Sequence, residues 1–253
     1  MNNLPKSHPR YISLLQREKI VEGFRKGIVA PQGLIAQGRG EAFDYILGEK
    51  TTRPAKKAIK ASACLFLLAR HPVISVNGNA AALIGKQIIK LASAIGAKIE
   101  VNLFYRTEKR KEKIEKFLIS LGAKKFLAKK TPHAIIPGLK SERRKVSQEG
   151  IFKADVVFVP LEDGDRTENL IKMGKKVVAV DLNPFSRTSQ KASITVVDNV
   201  VRAVPLLIGL TRKIKNENKN KLKVSLKNYN NKKNLKETIA IIQKRLIKTS
   251  LLN

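Results

Sequence analysis

Acid is scarce in this chain. Its 253 residues hold 20 Asp and Glu against 51 Lys and Arg, a formal charge of +31 at neutral pH. Tryptophan is absent, and cysteine occurs once, at Cys64 in the apolar run "ASACLFLLA". A single cysteine excludes an internal disulfide framework and fits a reducing compartment. Nothing beside Cys64 favours a thiolate, so it reads as a small core residue. No apolar run reaches the ~18–20 residues that would span a bilayer, and "MNNLPKSHPRYISLLQREK" has no signal-peptide core. These absences predict a soluble cytoplasmic protein.

Several chemistries are missing as well. Histidines 8, 71 and 133 are scattered and lack metal-ligand spacing. No G-x-G-x-x-G opens a strand–helix unit and no Walker A sequence occurs, which disfavours a dehydrogenase and a P-loop kinase. No Ser/His/Asp or Cys/His arrangement can be argued. The positive charge would attract any polyanion, but no aromatic-interleaved basic motif or zinc spacing accompanies it. Specific nucleic-acid binding is therefore not expected. It stands as the alternative reading, beside another nucleotide-dependent enzyme such as a small-molecule kinase.

What is present is a chain 43% hydrophobic, enough to bury a core without staples. Residues 211–253 carry 13 Lys and Arg against 2 Asp and Glu and are crowded with asparagine, which predicts a solvated, weakly structured tail. Residues 9–26 place Leu14, Leu15, Ile20, Val21 and Phe24 on roughly one helical face. The next stretch, "GIVAPQGLIAQGRGEAFDYILGEKT", has too many glycines for a regular element and reads as a long functional loop around Arg39. Residues 53–70 turn helical.

From there strands and helices alternate. Strands are expected at 72–76, 98–104, 154–160, 175–182 and 193–198, with a short one at "KKFLA" (124–128). Helices are expected from Asn79 to Gly96, over 107–122 with Thr107 as N-cap, near 166–173, and from 199 to 213 interrupted at Pro205. Apolar strands alternating with helices argue for a parallel sheet covered on both faces. The fold class is α/β, a Rossmann-like doubly wound parallel sheet with an N-terminal helical layer and a basic C-terminal tail. The organisation is one domain over 1–215 (helical and Gly-rich to 70, Rossmann-like core from 71), followed by a tail at 216–253 with a terminal helix near 235–250.

In such sheets ligands bind outside the carboxyl ends of the strands. Arg-Thr pairs follow three strands, at 106–107, 166–167 and 187–188, and the last two share the frame V-x-L-x-x-x-x-R-T. A threonine at a helix start with an arginine beside it makes an anion site. "LEDGDRT" gathers Glu162, Asp163 and Asp165, a carboxylate set suited to Mg²⁺ beside a phosphate. Asp181 ends a strand, the usual place for an acid on a ribose hydroxyl.

Seven segments resemble the archaeal phosphopantothenate synthetase (4-phosphopantoate–β-alanine ligase) family. They are "SHPRYISLLQREKIVEG", "GIVAPQGLIAQGRGEAFDYILGEKT", "PVISVNGNAAAL", "EVNLFYRTEKR", "IPGLKSERRKV", "ADVVFVPLEDGDRTENLIKMGKKVVAVDLNPFSRTS" and "ITVVDNVVRAVP". They run in order across residues 7–212, leaving the tail outside; Gln37 stands where the family pattern has a histidine. The resemblance implies a homodimeric, AMP-forming ligase of coenzyme A biosynthesis that joins 4-phosphopantoate to β-alanine. It implies ATP contacts at Arg17, Arg39, Asp181, Leu182, Asn183, Arg187, Thr188, Asn199 and Val200. The expected roles are Arg39 and Arg187 on ATP phosphates and Asp181 and Asn183 on ribose or base. Asp163 or Asp165 would hold Mg²⁺, and Arg106 or Arg143 the phosphate of the acid substrate.

Overall fold

A computed structural model describes residues 5–123, 132–161 and 164–250. Three helices lead, α1 (Tyr11–Arg25), α2 (Pro31–Leu47) and α3 (Arg53–Leu68). Then come β1 (Pro72–Val76), α4 (Gly78–Ile95), β2 (Lys98–Val101) and α5 (Glu108–Ser120). An antiparallel arm, β3 (His133–Ile135) and β4 (Lys145–Ser147), precedes β5 (Val156–Val159), α6 (Gly164–Lys172), β6 (Lys176–Val180), α7 (Arg187–Lys191) and β7 (Ile194–Val196). Helices α8 (Val200–Ile214), α9 (Lys219–Lys227) and α10 (Asn231–Ser250) complete the chain. The strand expected at 124–128 lies outside the described residues.

Strands β2-β1-β5-β6-β7 form one parallel sheet in that order, with Ile74 opposite both Ile99 and Phe158, and Val178 opposite Ile194. Period two divides their side chains between two cores. Ile74, Val76, Phe158, Val178 and Val180 face the core shared with α3, α4 and α8, whereas Val73, Val157, Val159, Val177 and Ala179 face Leu170 of α6, Ile136 and Val146 of the arm, and Ile151 in the turn after it. Both faces are covered, so the strands are apolar throughout rather than alternating. Phe66 of α3 meets Phe158 edge-on at 5.7 Å between centroids.

Four expectations are corrected. The glycine-rich stretch is the helix α2, not a loop: Pro31 opens it, Gly48 at φ +85° closes it, and Gly33 lies where a Cβ would come within 2.2 Å of Asn79 Oδ1. The buried residues of α1 are Ser13, Gln16, Ile20 and Gly23, with Phe24 exposed. The reason is close approach, since a Cβ on Gly23 would lie 2.9 Å from that of Ala82 in α4. Helix α8 runs unbroken through Pro205, its buried face of Ala203, Val204, Leu207 and Ile208 holding it in the core.

The fourth correction is the tail, which is built into the fold. Leu222 joins the main core, and Leu235 and Ile242 pack with Leu47. Asn231 accepts the amide of Thr195 at 2.8 Å and donates to the carbonyls of Ser189 and Ala192. Asn231 thus bonds backbone at the sheet edge, where an open strand would otherwise offer unpaired groups. No described helix is long and apolar enough to cross a membrane.

Candidate active site

A cavity of about 570 Å³ opens at the carboxyl ends of the strands, at the switch point where β1 and β5 are neighbours. Three helices begin on its wall: α4 at Gly78, α6 at Gly164 and α8 at Val200. First-turn amides have no partner within their helix, and the helix dipole adds positive potential there, so their convergence suits an anionic ligand. Asn77 takes up one of these amides, accepting from Ala80 at 2.9 Å. Gly78 is required by contact: a Cβ would lie 2.2 Å from the carbonyl oxygen of Ile28.

The loop after β6 is shaped by its own side chains. Asp181 accepts the Asn183 amide at 2.9 Å through Oδ1 and the Ser186 hydroxyl through Oδ2. Asn183 Oδ1 accepts the Phe185 amide, and the Ser189 hydroxyl donates to the Asn183 carbonyl at 2.7 Å. Ser186, not Thr188, caps α7. Asp181, Leu182, Asn183 and Arg187 line the cavity, while Thr188 is fully buried behind it. Arg39, Gln37 and Gly40 come from the α2 side of the wall.

Arg187 pairs with Asp165 at the rim, both side chains exposed. Asp163 lies outside the described residues. Among those described, no group of three metal-ligating side chains occurs, and Asp165 is already answered by an arginine. Of the carboxylates at 162, 163 and 165 only Asp165 is described, and one neutralised carboxylate supplies fewer oxygen ligands than a divalent ion needs.

Asn199 and Val200 lie in the wall. Asn199 caps α8 by accepting from Val201, and its Nδ2 donates to Gln16 at 2.9 Å and Asp44 at 2.8 Å. Arg202 joins Asp44 to Asp198, and Thr51 donates to Asp198 at 2.6 Å. Burial raises the Asp198 carboxyl above its ordinary range, with Thr51 and Arg202 opposing. Thus α1, α2 and α8 meet in one polar network under the cavity floor. Asp44, Asp198 and Arg202 were not singled out in the sequence: Asp198 and Arg202 are an ordinary i,i+4 pair within it, and the partners that make them a network, Asp44 and Thr51, lie about 150 residues away.

The Arg-Thr pairs diverge. Thr107 does cap α5, accepting from Arg110 at 3.1 Å. Arg166, at 2% exposure, is instead a buried pin, donating to Ser75 and Asn102. Its frame matches that of Arg187, but Arg166 is the third residue of α6 and buried, whereas Arg187 is the first residue of α7 and exposed at the rim. Thr167 is buried inside α6 and caps nothing. Arg106 lies outside the wall, donating to Glu108 and to the carbonyl of Lys145. Arg17 also lies outside it, in a two-bond pair with Glu41 at 2.7 Å. Arg143, delivered by the 3-10 turn Glu142–Arg144 between β3 and β4, reaches the wall and stands 5.9 Å over the Phe104 ring. Arg110 lines the cavity too and was missed. Its signal was a cation in the first turn of a helix, where the dipole disfavours one.

Comparison with known proteins agrees with this geometry. A family model described as phosphopantothenate/pantothenate synthetase matches residues 54–245. A protein of Thermococcus kodakarensis named 4-phosphopantoate–beta-alanine ligase is 54% identical over 246 residues, 97% of this chain and 94% of that protein. Ligases of the same name from Thermococcus onnurineus (52% identical, 98% of this chain and 95% of that protein) and Methanosarcina mazei (50%, 97% and 96%) match as extensively. With well over half its length matched, the chain belongs to the phosphopantothenate/pantothenate synthetase family.

Proposed function

We propose that this chain is an ATP-dependent ligase of coenzyme A biosynthesis, joining 4-phosphopantoate to β-alanine and releasing AMP and pyrophosphate. The observation that carries this reading is the convergence of three helix N-termini and several arginines on one cavity at the switch point. Cys64 and the three histidines are absent from the cavity wall, and burial pushes the Cys64 thiol up. Nothing in the wall therefore recommends a covalent enzyme intermediate. Positioning and electrostatic stabilisation of phosphate charge suffice for the chemistry proposed. Neither polyanion binding nor a kinase is favoured by a family whose named members are ligases.

The reaction is written in two steps. A carboxylate oxygen of the acid attacks the α-phosphorus of ATP, forming an acyl–phosphate anhydride as the bond to pyrophosphate breaks. The uncharged amine of β-alanine then attacks the acyl carbon; the bond to AMP breaks, and the nitrogen gives up a proton to solvent. Arg39 and Arg187 offset phosphate charge, with Arg187 turning from Asp165 to the ligand. The Asp181-Leu182-Asn183 loop, with Asn199 and Val200, holds the nucleoside. Arg17 and Glu41 fasten α1 to α2, the helix that presents Arg39. Mg²⁺ would be held beside the ATP phosphates by Asp163 or Asp165 and would screen phosphate charge. As the resemblance implies, the enzyme works as a homodimer, and its single cysteine fits a reducing cytoplasm. The two-step course predicts that labelled pyrophosphate exchanges into ATP with 4-phosphopantoate present and β-alanine withheld. Exchange that appears only with β-alanine, or never, would contradict the adenylate.

A further inference from the structure

A second cavity, of about 320 Å³, lies between α3, α9 and α10, and among the described residues it shares no lining side chain with the first. Its size falls at the low end of small-molecule pockets, roughly 300–1,000 Å³. Asn234, the fourth residue of α10, lines it and is buried at 4% exposure. Among the described residues neither Nδ2 nor Oδ1 of that side chain has a hydrogen-bond partner. Buried amides are nearly always paired, because an unpaired one gives up water and gains nothing in return.

The neighbouring Tyr229 hydroxyl does not relieve Asn234. It donates to Asn231 Oδ1 at 3.0 Å, and the Asn234 amide comes near it without hydrogen-bond geometry. Asn231 is itself committed to Thr195, Ser189 and Ala192. Asn234 therefore offers a donor and an acceptor, side by side, to the cavity it lines.

The rest of the wall is positive. Lys57, Lys60 and Lys233 face a single carboxylate, Glu237, which Lys57 answers at 2.7 Å. Lys60 and Lys233 make no ion pair among the described residues. Helix α10 also starts here: Asn230 in the wall accepts the Lys233 amide at 2.9 Å, and the helix dipole adds positive potential. Lysines of this kind suit a phosphate.

The carboxamide narrows the ligand further. A trans secondary amide points its N–H and C=O in opposite directions, so it cannot meet both atoms of Asn234 at once. A nucleobase carries donor beside acceptor on one edge, the pattern that asparagine pairs with two hydrogen bonds on adenine. We propose that this cavity is a second nucleotide site, with Asn234 on the edge of the base and Lys60 and Lys233 on the phosphate of a nucleoside phosphate.

Equilibrium dialysis of the full-length protein against labelled AMP, with no other substrate present, tests the proposal. Wild type should bind one AMP per chain more than Asn234→Leu. That substitution replaces an unpaired buried amide by an apolar side chain of similar shape, so the variant should melt at or above the wild-type temperature. Lys60→Gln and Lys233→Gln, at exposed positions, should each weaken this site about three- to tenfold at low salt. Adenosine and pyrophosphate each carry half of the recognised chemistry and should compete at least about tenfold more weakly than AMP. Equal AMP binding by wild type and Asn234→Leu would overturn the proposal, as would pyrophosphate competing as well as AMP. If Asn234→Leu does not melt cooperatively, the double variant Lys60→Gln/Lys233→Gln decides, and unchanged AMP binding there overturns the proposal. The readout is binding alone, so its failure is distinct from a failure of the ligase reading.

Discussion

At the residue scale, identical local sequence does not mean identical duty. Arg166 and Arg187 share a nine-residue frame, but one is pinned by Ser75 and Asn102 and the other stands at the rim beside Asp165. The frame fixed where each arginine follows its strand; the point at which the next helix starts differs, at Gly164 two residues before Arg166 and at Arg187 itself. Arg17 and Glu41 make a sharper case. Burial raises the Glu41 carboxyl, but the hydrogen bonds from Arg17 and Tyr45 outweigh it, and the net shift is downward. A depressed carboxylate contributes stability that is fully present above its unfolded value, about 4.3, and is lost as pH falls through the folded one. Glu41→Gln should therefore cost about 0.5–1 kcal/mol at neutral pH, discounted because Arg17 is half exposed. Denaturant melts from pH 7 to 3 check this: the gap between wild type and variant should close in acid. A gap that widens there would contradict the assignment.

At the element scale, the alternating strands and helices were legible because period two and period 3.6 are local signals. Thr107 capping α5 and Gly96 ending α4 at φ +67° followed from the same local chemistry. Helix α2 was illegible because its three internal glycines each cost about 1 kcal/mol in helix propensity. What offsets that cost is non-local: Gly33 against Asn79, and the packing of α10. The tail misled for a related reason. Its Lys and Asn content matches that of solvated segments, but Leu222 reaches the main core while Leu235 and Ile242 reach Leu47. Burying such side chains contributes about 1.5–3 kcal/mol each, a large share of a typical domain stability of about 5–15 kcal/mol. A chain ending at residue 215 should lose its cooperative melt or melt far below the full chain. An unchanged melting curve would return the tail to the status of an appendage.

At the scale of the whole molecule, the site is where the architecture places it. A parallel sheet of order β2-β1-β5-β6-β7 leaves a crevice at its switch point, and the helices that begin there turn positive ends inward. The sequence supported anion sites on strand ends, and the loop at 181–187, proposed to hold ATP, lies on that rim. Arg110 and the Asp44–Arg202–Asp198 network became visible only once distant helices were brought together. The charge of +31 belongs to this picture as a field that draws anionic substrates, without assigning a partner.

The central claim is the identity of the reaction, and product analysis tests it most directly. Purified full-length protein, incubated with ATP and Mg²⁺, should release AMP and pyrophosphate in equal amounts, in step with 4'-phosphopantothenate, only when 4-phosphopantoate and β-alanine are both present. Release of ADP, or nucleotide turnover indifferent to β-alanine, would contradict it.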